Sequence, residues 1–300
     1  MKVFAVGCVC LALAGSVACA EDTRKFSIDP DTKAATMTVD GKVCWTYNPT
    51  SEEGKPYFHP LAIPGSDDVL TSFRPADHKW HLGLWFSWKF INGVNFWEPD
   101  NNAERKILSH TETCDDNKVF QSKATLSYLA NGKEVLREER VTSVVTKENG
   151  NYTIKYDFTF TAQNGAAKLE SSPVKQDDNR IWSSGGYGGL MLRFAPGPAG
   201  TYSFADEEER TDAKTCGYPC QWLEATATML SGAKAKVRFT DDPENPRFPN
   251  MWFSRHQPKA NDYTGYNLIG TGLIFYEPLT IADGESLRLR YTVSVERVME

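Results

Sequence analysis

The sequence lacks an excess of positive charge and, after its first twenty residues, any long apolar run. Its net charge is −6, which argues against a nucleic-acid-binding surface and against a polybasic membrane patch. A membrane-spanning helix needs about 20 consecutive apolar residues, and no stretch after Val17 approaches that length. We therefore expect neither nucleic acid nor a membrane span to be part of this protein's function.

Helical periodicity and the common nucleotide-binding and hydrolase motifs are also missing. No window of about a dozen residues shows a convincing 3.6-residue hydrophobic period. The chain has no dinucleotide-binding fingerprint, P-loop, nucleophile elbow, zinc-protease helix or calcium-binding loop. Gly185–Gly189 is rich in glycine, but it leads into a predicted strand and not into a helix, so we do not expect it to bind phosphate.

What the sequence does contain is alternation with a period of two and strong turn signals. Tyr152–Ala162 alternates apolar and polar residues, as a strand with one wet face does. Asp40-Gly41 and Asn131-Gly132 are typical hairpin turns. Further strands are predicted at Val119–Leu129, Glu134–Thr146, Gly189–Phe194, Ala233–Thr240, Gly272–Tyr276 and Ser286–Glu296. The pattern predicts an all-β fold, a large antiparallel β-sandwich.

The N-terminal residues have the pattern of an export signal. Lys2 precedes an apolar run from Val3 to Val17, and Ala18-Cys19-Ala20 fits the small-residue rule for signal peptidase. We expect residues 1–20 to be a signal peptide, residues 21–300 to form a single domain, and the mature protein to be secreted or periplasmic. Lipid anchoring at Cys19 is the less favoured alternative, because Ser16 stands where a lipobox usually has an aliphatic residue.

Four cysteines remain after the predicted signal peptide: Cys44, Cys114, Cys216 and Cys220. Export favours disulfides over free thiols. A bond between Cys216 and Cys220 would close a small loop and leave Cys44 to pair with Cys114. The alternative is that some of the four are buried thiols.

Chemistry-bearing residues concentrate in RPADHKWHLGLWFSW, residues 74–88, which holds two of the five histidines. Proline and glycine break the segment into loops, where sites on rigid scaffolds are usually built. His78 and His81 stand three residues apart, so a tight turn would bring both rings to one point. Together with Asp77 the two histidines could act in general acid–base catalysis near neutral pH. Two alternatives remain open: a divalent metal held by the pair, or histidines that only pack and cap turns.

Other candidates for binding a substrate flank this segment or lie far along the chain. By strand alternation Trp85 and Trp88 face opposite sides, so one of them belongs to the core. Aromatic faces bind sugar rings, and guanidinium groups suit carboxylates or neighbouring hydroxyls. For each arginine the alternative is an ordinary ion pair with an acid. The candidate binding residues are His59, Arg74, Trp85, Asn95, Trp97, Arg193, Arg247 and Arg255.

The blocks YFHPL, RPADHKWHLGLWFSW, NGVNFW, EVLREER, GYGGLMLRF, WLE and DDPENPRFPNMWFSR occur in this order along nearly the whole chain. In this respect the sequence resembles the secreted bacterial family labelled PmoA-like, whose members resemble galactose-mutarotase-like proteins. The resemblance implies a supersandwich fold shared with sugar epimerases, lyases and hydrolases. It also draws attention to three further carboxylates, Glu138, Glu139 and Glu224.

These observations together predict a carbohydrate-active enzyme that acts near the anomeric carbon by hydrolysis, elimination or epimerisation. Asp77, His78 and His81 are the predicted catalytic residues, and a carbohydrate is the predicted substrate. No cofactor is expected, although a divalent metal at His78 and His81 is a less favoured alternative. A non-catalytic sugar-binding protein and a structural cell-envelope protein are the competing hypotheses.

Overall fold

The computed structural model describes residues 22–116, 118–176, 182–198, 200–257 and 266–299, without the side chains of residues 182 and 183. The predicted signal peptide and Cys19 lie outside the described residues and stay predictions. Among the described residues we find no helix that could cross a lipid bilayer.

One eight-stranded antiparallel sheet, called here the site sheet, is built mainly from the first third of the chain. In spatial order its strands are β1 (Lys25–Ile28), β2 (Ala35–Val39), β3 (Lys42–Asn48), β4 (Tyr57–Leu61), β5 (Leu84–Ser87), β15 (Gly189–Arg193), β20 (Tyr266–Thr271) and β19 (Trp252–Gln257). The last three strands come from the second half of the chain, so the sheet brings distant blocks of sequence side by side.

The second eight-stranded antiparallel sheet, called the back sheet, holds the longest strands. In spatial order these are β16 (Tyr202–Asp206), β17 (Trp222–Thr228), β18 (Lys234–Asp241), β22 (Ser286–Arg297), β11 (Tyr152–Ala162), β10 (Lys133–Thr146), β9 (Val119–Ala130) and β8 (Ala103–Asp115). Along β11 the odd positions are exposed or half-buried and the even positions are buried, which confirms the one wet face predicted from the alternation.

Smaller elements complete the fold. A four-stranded sheet contains β21 (Leu279–Ile281), β12 (Ala167–Glu170), β6 (Phe90–Ile91) and β7 (Val94–Asn95), and a two-stranded sheet contains β13 (Lys175–Gln176) and β14 (Trp182–Ser184). A short 3₁₀ helix, Asp212–Thr215, precedes β17. The predicted turns at Asp40-Gly41 and Asn131-Gly132 are present, with positive φ at all four residues.

The main core lies between the two large sheets, as the predicted β-sandwich requires. Aromatic rings from the site sheet meet rings from the back sheet there, for example Trp45 against Phe120 and Phe58 against Tyr156. The site sheet is also covered on its outer face, because β5 and β15 are buried at every residue. A sheet that is buried on both faces needs a second layer over it, and loops supply that layer here.

Two sequence predictions about local structure were wrong. Gly272–Tyr276 does not form a strand; β20 ends at Thr271, and a turn closed by Phe275 N donating to Gly272 O follows. None of the cysteines at 44, 114, 216 and 220 forms a disulfide.

Cys216 and Cys220 lie at the two ends of a segment that pairs with Asn250–Trp252. Gly217 N donates to Trp252 O, Pro219 bridges Met251, and Cys220 N donates to Asn250 O. Burial raises the pKa of both thiols to about 12, as expected for structural thiols.

Candidate functional site

A cavity of about 540 Å³ opens on the outer face of the site sheet. Its base is a second apolar cluster that includes Trp85, Met191 and Phe253, which share a face because Trp85 pairs with Met191 and both Met191 and Phe253 pair with Gly270. Loops after β4, β7, β12 and β14 form the walls. The side chains that line it are His78, His81, Trp97, Glu98, Ser172, Pro173, Lys175, Ser184, Tyr187, Phe253, Arg255, Tyr266 and Leu268, with Gly185.

The two histidines reach the cavity because their loop folds into consecutive tight turns. His78 N donates to Pro75 O, and His81 N donates to His78 O, at 2.9 and 3.0 Å. Arg74 N donates to His81 O at 2.9 Å and closes the base of the loop. Gly83 then returns the chain to β5 with φ +76°, and a Cβ there would lie 2.3 Å from Phe58 O. The loop is therefore fixed by backbone hydrogen bonds where it joins β4 to β5, the two central strands of the site sheet.

His81 is the buried member of the pair. Its ring stacks on the His78 ring with centroids 4.7 Å apart and lies 4.7 Å from the Trp85 ring on β5. The residue is 1% exposed. Burial, followed by the positive charges around it, holds the pKa of His81 well below 6.5. His81 is therefore neutral at physiological pH.

His78 is the accessible member of the pair. It contacts Asp77, which in turn is paired with Arg193. Its Nδ1 lies 2.9 Å from Asp77 Oδ2, without the alignment of a hydrogen bond. The same Asp77 oxygen accepts a 2.8 Å hydrogen bond from Arg193 Nη2. Burial raises the pKa of Asp77, but the Arg193 hydrogen bond and His78 outweigh it, and the net pKa lies below its ordinary value. Asp77 is thus a fixed anion beside the His78 ring.

Another wall of the cavity presents the carboxylate of Glu98, which a short turn holds in place. Asn95 Oδ1 accepts hydrogen bonds from Trp97 N at 3.0 Å and from Glu98 N at 3.3 Å. Lys89 pairs with the Glu98 carboxylate, and Tyr187 OH donates to its other oxygen at 3.1 Å. Burial opposes ionisation, but Lys89 and Asn95 outweigh it and hold the pKa of Glu98 below its usual value.

Two basic side chains support this wall from behind. Lys55 is 1% exposed and donates through Nζ to Trp97 O at 3.1 Å, while Arg105 Nη1 donates to Phe96 O at 2.7 Å. Burial, and then the charge of Arg105, hold the pKa of Lys55 well below its usual value. Consecutive carbonyls are thereby fixed, and with them the backbone that presents Trp97 and Glu98.

Three of the predicted binding residues lie near the cavity without lining it. His59 Nδ1 is 2.9 Å from Thr71 Oγ1, and its ring stacks on Phe73. Arg74 pairs with Glu53 at 2.6 Å. An ion pair with an acid was the alternative stated for each arginine. Trp85 is 1% exposed beneath His81. It faces the site layer while Trp88 belongs to the main core, as the alternation predicts.

Arg247 and the three further carboxylates also lie outside the cavity. Arg247 donates to the carbonyl oxygens of Leu273, Glu277 and Pro278 at 2.8–2.9 Å, so its guanidinium fixes a loop. The carboxylates are all on the back sheet: Glu138 is buried in the main core, Glu139 is exposed, and Glu224 pairs with two basic side chains of β18, Lys236 and Arg238.

The cavity does collect four of the predicted residues, His78, His81, Trp97 and Arg255, with Asp77, Asn95 and Arg193 in supporting contacts. The sequence analysis missed Lys55, Glu98, Tyr187 and Tyr266. Two of these carry a usable signal: Glu98 directly follows the NGVNFW block, and Tyr187 lies inside GYGGLMLRF. Lys55 and Tyr266 have no such signal, because their importance arises from burial and from pairing across strands.

The metal alternative gains no support from this geometry. Imidazole lone pairs lie in the plane of the ring, so two stacked rings such as His78 and His81 direct them side by side and not at one ion. Within the part of the chain that the structure describes, no three His, Cys, Asp or Glu side chains are grouped as metal ligands.

The buried neutral state of His81 predicts a pH-dependent contribution to stability. An unfolded histidine takes up a proton near pH 6.5, whereas folded His81 does so only at a clearly lower pH. The stabilisation is therefore fully present above pH 6.5 and is lost as the pH falls toward the folded pKa, by at most ~1.4 kcal/mol per pH unit. Measured by urea unfolding, the free energy of unfolding should fall less between pH 7.5 and pH 5 in His81→Gln than in the wild type. His110→Gln, on β8, is the control, and equal losses in all three proteins would contradict the assignment.

The comparison with known families places the chain in one of them. The profile of a family of unknown function, DUF6807, matches residues 34–297. This chain belongs to that family. The match covers β2 to β22 and so includes every described residue of the cavity.

Two other comparisons add little. No curated protein matches the chain. A solved TPR-domain containing protein from Parabacteroides distasonis is similar at 14% identity with a TM-score of 0.33, over 90% of this chain and 46% of that chain. The chain thus spans less than half the length of that solved chain, and a likeness of this size carries no argument about function.

Proposed function

We propose that this cavity binds a saccharide and that the protein is a carbohydrate-active enzyme that acts near the anomeric carbon. The observation that carries the proposal is the meeting of aromatic walls with an accessible histidine backed by a fixed carboxylate. A cavity of about 540 Å³ is within the usual range for small-molecule sites. Clustered titratable groups inside such a cavity favour catalysis over binding alone.

His78 is the proposed acid–base. Asp77 lies against its Nδ1, so Nε2 is the nitrogen left to exchange a proton with a bound ligand. Arg193 holds Asp77 from the next strand, which limits the movement of the ring. A positioned proton-transfer group of this kind contributes about 10²–10⁴-fold to a rate. The neutral, stacked ring of His81 fixes the face that His78 presents.

The sugar ring is proposed to lie against Tyr187 and Trp97, whose ring centroids are 5.2 Å apart. Tyr187 is half-buried, so part of its ring is open to a ligand. Glu98 is ionised and lies beside that ring, where its carboxylate can accept hydrogen bonds from hydroxyl groups. Aromatic faces with a polar group at the edge suit pyranose rings, which have one apolar face and a rim of hydroxyls.

The finer relationships implied by the sequence belong to this proposal. The order of the quoted blocks supports a link to PmoA-like proteins and to galactose-mutarotase-like supersandwiches, and two eight-stranded antiparallel sheets are compatible with that link. Export to the periplasm or beyond, based on residues 1–20, would place the enzyme where extracellular glycans are available.

The test is a screen of the purified protein against glycosides, including oxidised (3-keto) glycosides, with and without EDTA. Substrate and product are followed by NMR of the anomeric protons. We expect conversion of at least one glycoside class that EDTA does not abolish. Binding of a saccharide without any conversion would support a non-catalytic sugar-binding protein instead. If no saccharide is bound and none is converted, the proposal is wrong.

Replacing Tyr187 with alanine should weaken saccharide binding about 3- to 10-fold. An aromatic contact contributes ~0.5–1.5 kcal/mol beyond the area it buries, and 1.4 kcal/mol corresponds to a factor of ten. Titration calorimetry with the best ligand from the screen measures the change. Tyr187→Phe keeps the ring and should retain most of the affinity; equal losses in both variants would assign the effect to the hydroxyl and its bond to Glu98.

A further inference from the structure

A second cavity, of about 340 Å³, adjoins the first and is not used by the proposed chemistry. Trp97 and Glu98 line both cavities, so the two spaces lie against the same short stretch of chain. The other walls of the second cavity come from the loop after β3, from Trp80 in the histidine loop, and from the chain between β7 and the start of β8. Each cavity alone is within the usual size range of small-molecule sites.

The walls of the second cavity are held together by buried contacts. Arg105 Nε donates to Glu53 O at 2.9 Å, and Gly54 packs so closely that a Cβ there would lie 2.4 Å from Arg105 O. Lys55 Nζ donates to Trp97 O at 3.1 Å. The loop after β3 is thus tied to β8 on one side and to the backbone of Trp97 on the other. The cavity is therefore preformed, and a ligand would not have to order a loop in order to bind.

Trp80 connects the second cavity to the proposed acid–base. Its ring lies edge-on to the ring of His78, with centroids 5.2 Å apart, and edge-on to the ring of His81 at 6.2 Å. Trp80 is half-buried and lines the second cavity. An indole in a cavity wall offers an apolar surface on which a sugar ring can lie. The same turn therefore presents His78 to the first cavity and Trp80 to the second.

Glu98 is the more accessible of the two residues that the cavities share. Its side chain is 26% exposed, whereas Trp97 is 3% exposed. One carboxylate oxygen pairs with Lys89 and the other accepts a hydrogen bond from Tyr187. An ionised carboxylate has about four lone-pair sites, so it can accept further hydrogen bonds from hydroxyl groups. A ligand that extends from one cavity into the other would pass this carboxylate.

Resting on the proposed function, we propose that the ligand is an oligosaccharide of at least two sugar units that occupies both cavities. One unit lies in the first cavity beside His78 and Tyr187, and the next lies in the second cavity against the indole of Trp80. The linkage between the two units passes Glu98, whose carboxylate accepts hydrogen bonds from their hydroxyl groups. A single sugar ring would fill one cavity and leave the other to water.

The experiment compares ligands that differ by one sugar unit. Methyl maltoside, methyl cellobioside and methyl lactoside are titrated into the full chain by calorimetry, beside methyl glucoside and methyl galactoside. If the screen finds another sugar, the same comparison is made with its methyl glycoside and the disaccharides that extend it. For a ligand that the wild type converts, all titrations are made in the His78→Ala background. We expect at least one disaccharide to bind about 10-fold more tightly than its monosaccharide partners, since it adds an aromatic contact and hydrogen bonds.

The ratio of disaccharide to monosaccharide affinity assigns the second unit to a cavity. Trp80→Ala should bring this ratio close to one. Tyr187→Ala, which acts on the first cavity, should weaken both ligands by the same factor and keep the ratio. Trp222→Ala is the matched control, because it removes a half-buried indole from the back sheet, and it should also keep the ratio. Asn101→Trp adds bulk at an exposed position of the second cavity and should lower the ratio without altering the core.

The outcomes separate the two-unit inference from the function on which it rests. If every disaccharide binds no more tightly than its monosaccharide partners, the inference is overturned and saccharide binding remains intact. No binding of these ligands or of any glycoside in the wider screen overturns both. If a disaccharide binds more tightly but the folded Trp80→Ala and Asn101→Trp variants keep the wild-type ratio, the second unit lies elsewhere and its assignment to this cavity is wrong. Melting temperatures of all variants show whether they are folded, and Asn101→Trp decides the assignment if Trp80→Ala is not.

Discussion

Replacing His78 with alanine is expected to lower kcat by about 10²–10⁴-fold on the substrate that the screen identifies. The reason is that His78 is the accessible ring in the cavity and lies 2.9 Å from Asp77. The melting temperature should barely change, because the backbone bonds of the turn, from His78 N to Pro75 O and from His81 N to His78 O, do not involve the side chain.

Lys79→Ala is the matched control, since Lys79 is the exposed neighbour of His78 on the same turn. It should keep the wild-type kcat. If His78→Ala retains full activity with normal melting, the histidine is not part of the mechanism. If activity falls only in proportion to the unfolded fraction, the role of His78 is structural.

Replacing Glu138 with glutamine is expected to destabilise the protein by about 3–5 kcal/mol, as the removal of one partner from a buried ion pair does. Glu138 and Arg140 lie on β10 with side chains 0% and 2% exposed, joined by a 2.6 Å contact. Tyr128 OH donates to the other oxygen of Glu138 at 2.6 Å. Glutamine would leave the Arg140 charge buried between the sheets without a counter-ion.

Urea unfolding measures this change, and the adjacent Glu139→Gln is the control because Glu139 is exposed on the same strand. We expect Glu139→Gln to lie within about 0.5 kcal/mol of the wild type. The double variant Glu138→Leu/Arg140→Met should recover most of the loss, since apolar replacement of both charges removes the desolvation cost. Equal stabilities of Glu138→Gln and Glu139→Gln would contradict the assignment of Glu138 to the core.

Much of the fold could be predicted from the sequence, because local signals specify most of it. The alternation of Tyr152–Ala162 and the turns at Asp40-Gly41 and Asn131-Gly132 follow from side-chain direction and backbone φ, which are local properties. The strand predicted at Gly272–Tyr276 was wrong because the apolar residues of this segment pack from a turn. A short apolar run does not distinguish a strand from such a turn. The disulfide prediction was wrong because the distance between two cysteines depends on tertiary structure, which the local sequence does not show.

The site was predicted in part for the same reason. The pairing of His78 with His81 follows from their spacing and from the turn residues around them. Arg74 and Arg247 were placed wrongly in the cavity because a sequence does not show which acid or carbonyl an arginine will meet. Lys55 was missed because a lysine becomes notable only when tertiary packing buries it, and no local pattern marks that burial.

The most direct test of the central claim is the anomeric-proton NMR time course of the best glycoside from the screen, recorded with wild-type protein, His78→Ala and Lys79→Ala. The account predicts conversion by the wild type and by Lys79→Ala, and conversion at least about 10²-fold slower by His78→Ala, with all three proteins folded. Conversion at the same rate by all three, or an absence of conversion and binding for every glycoside tried, would contradict a carbohydrate-active site built on His78.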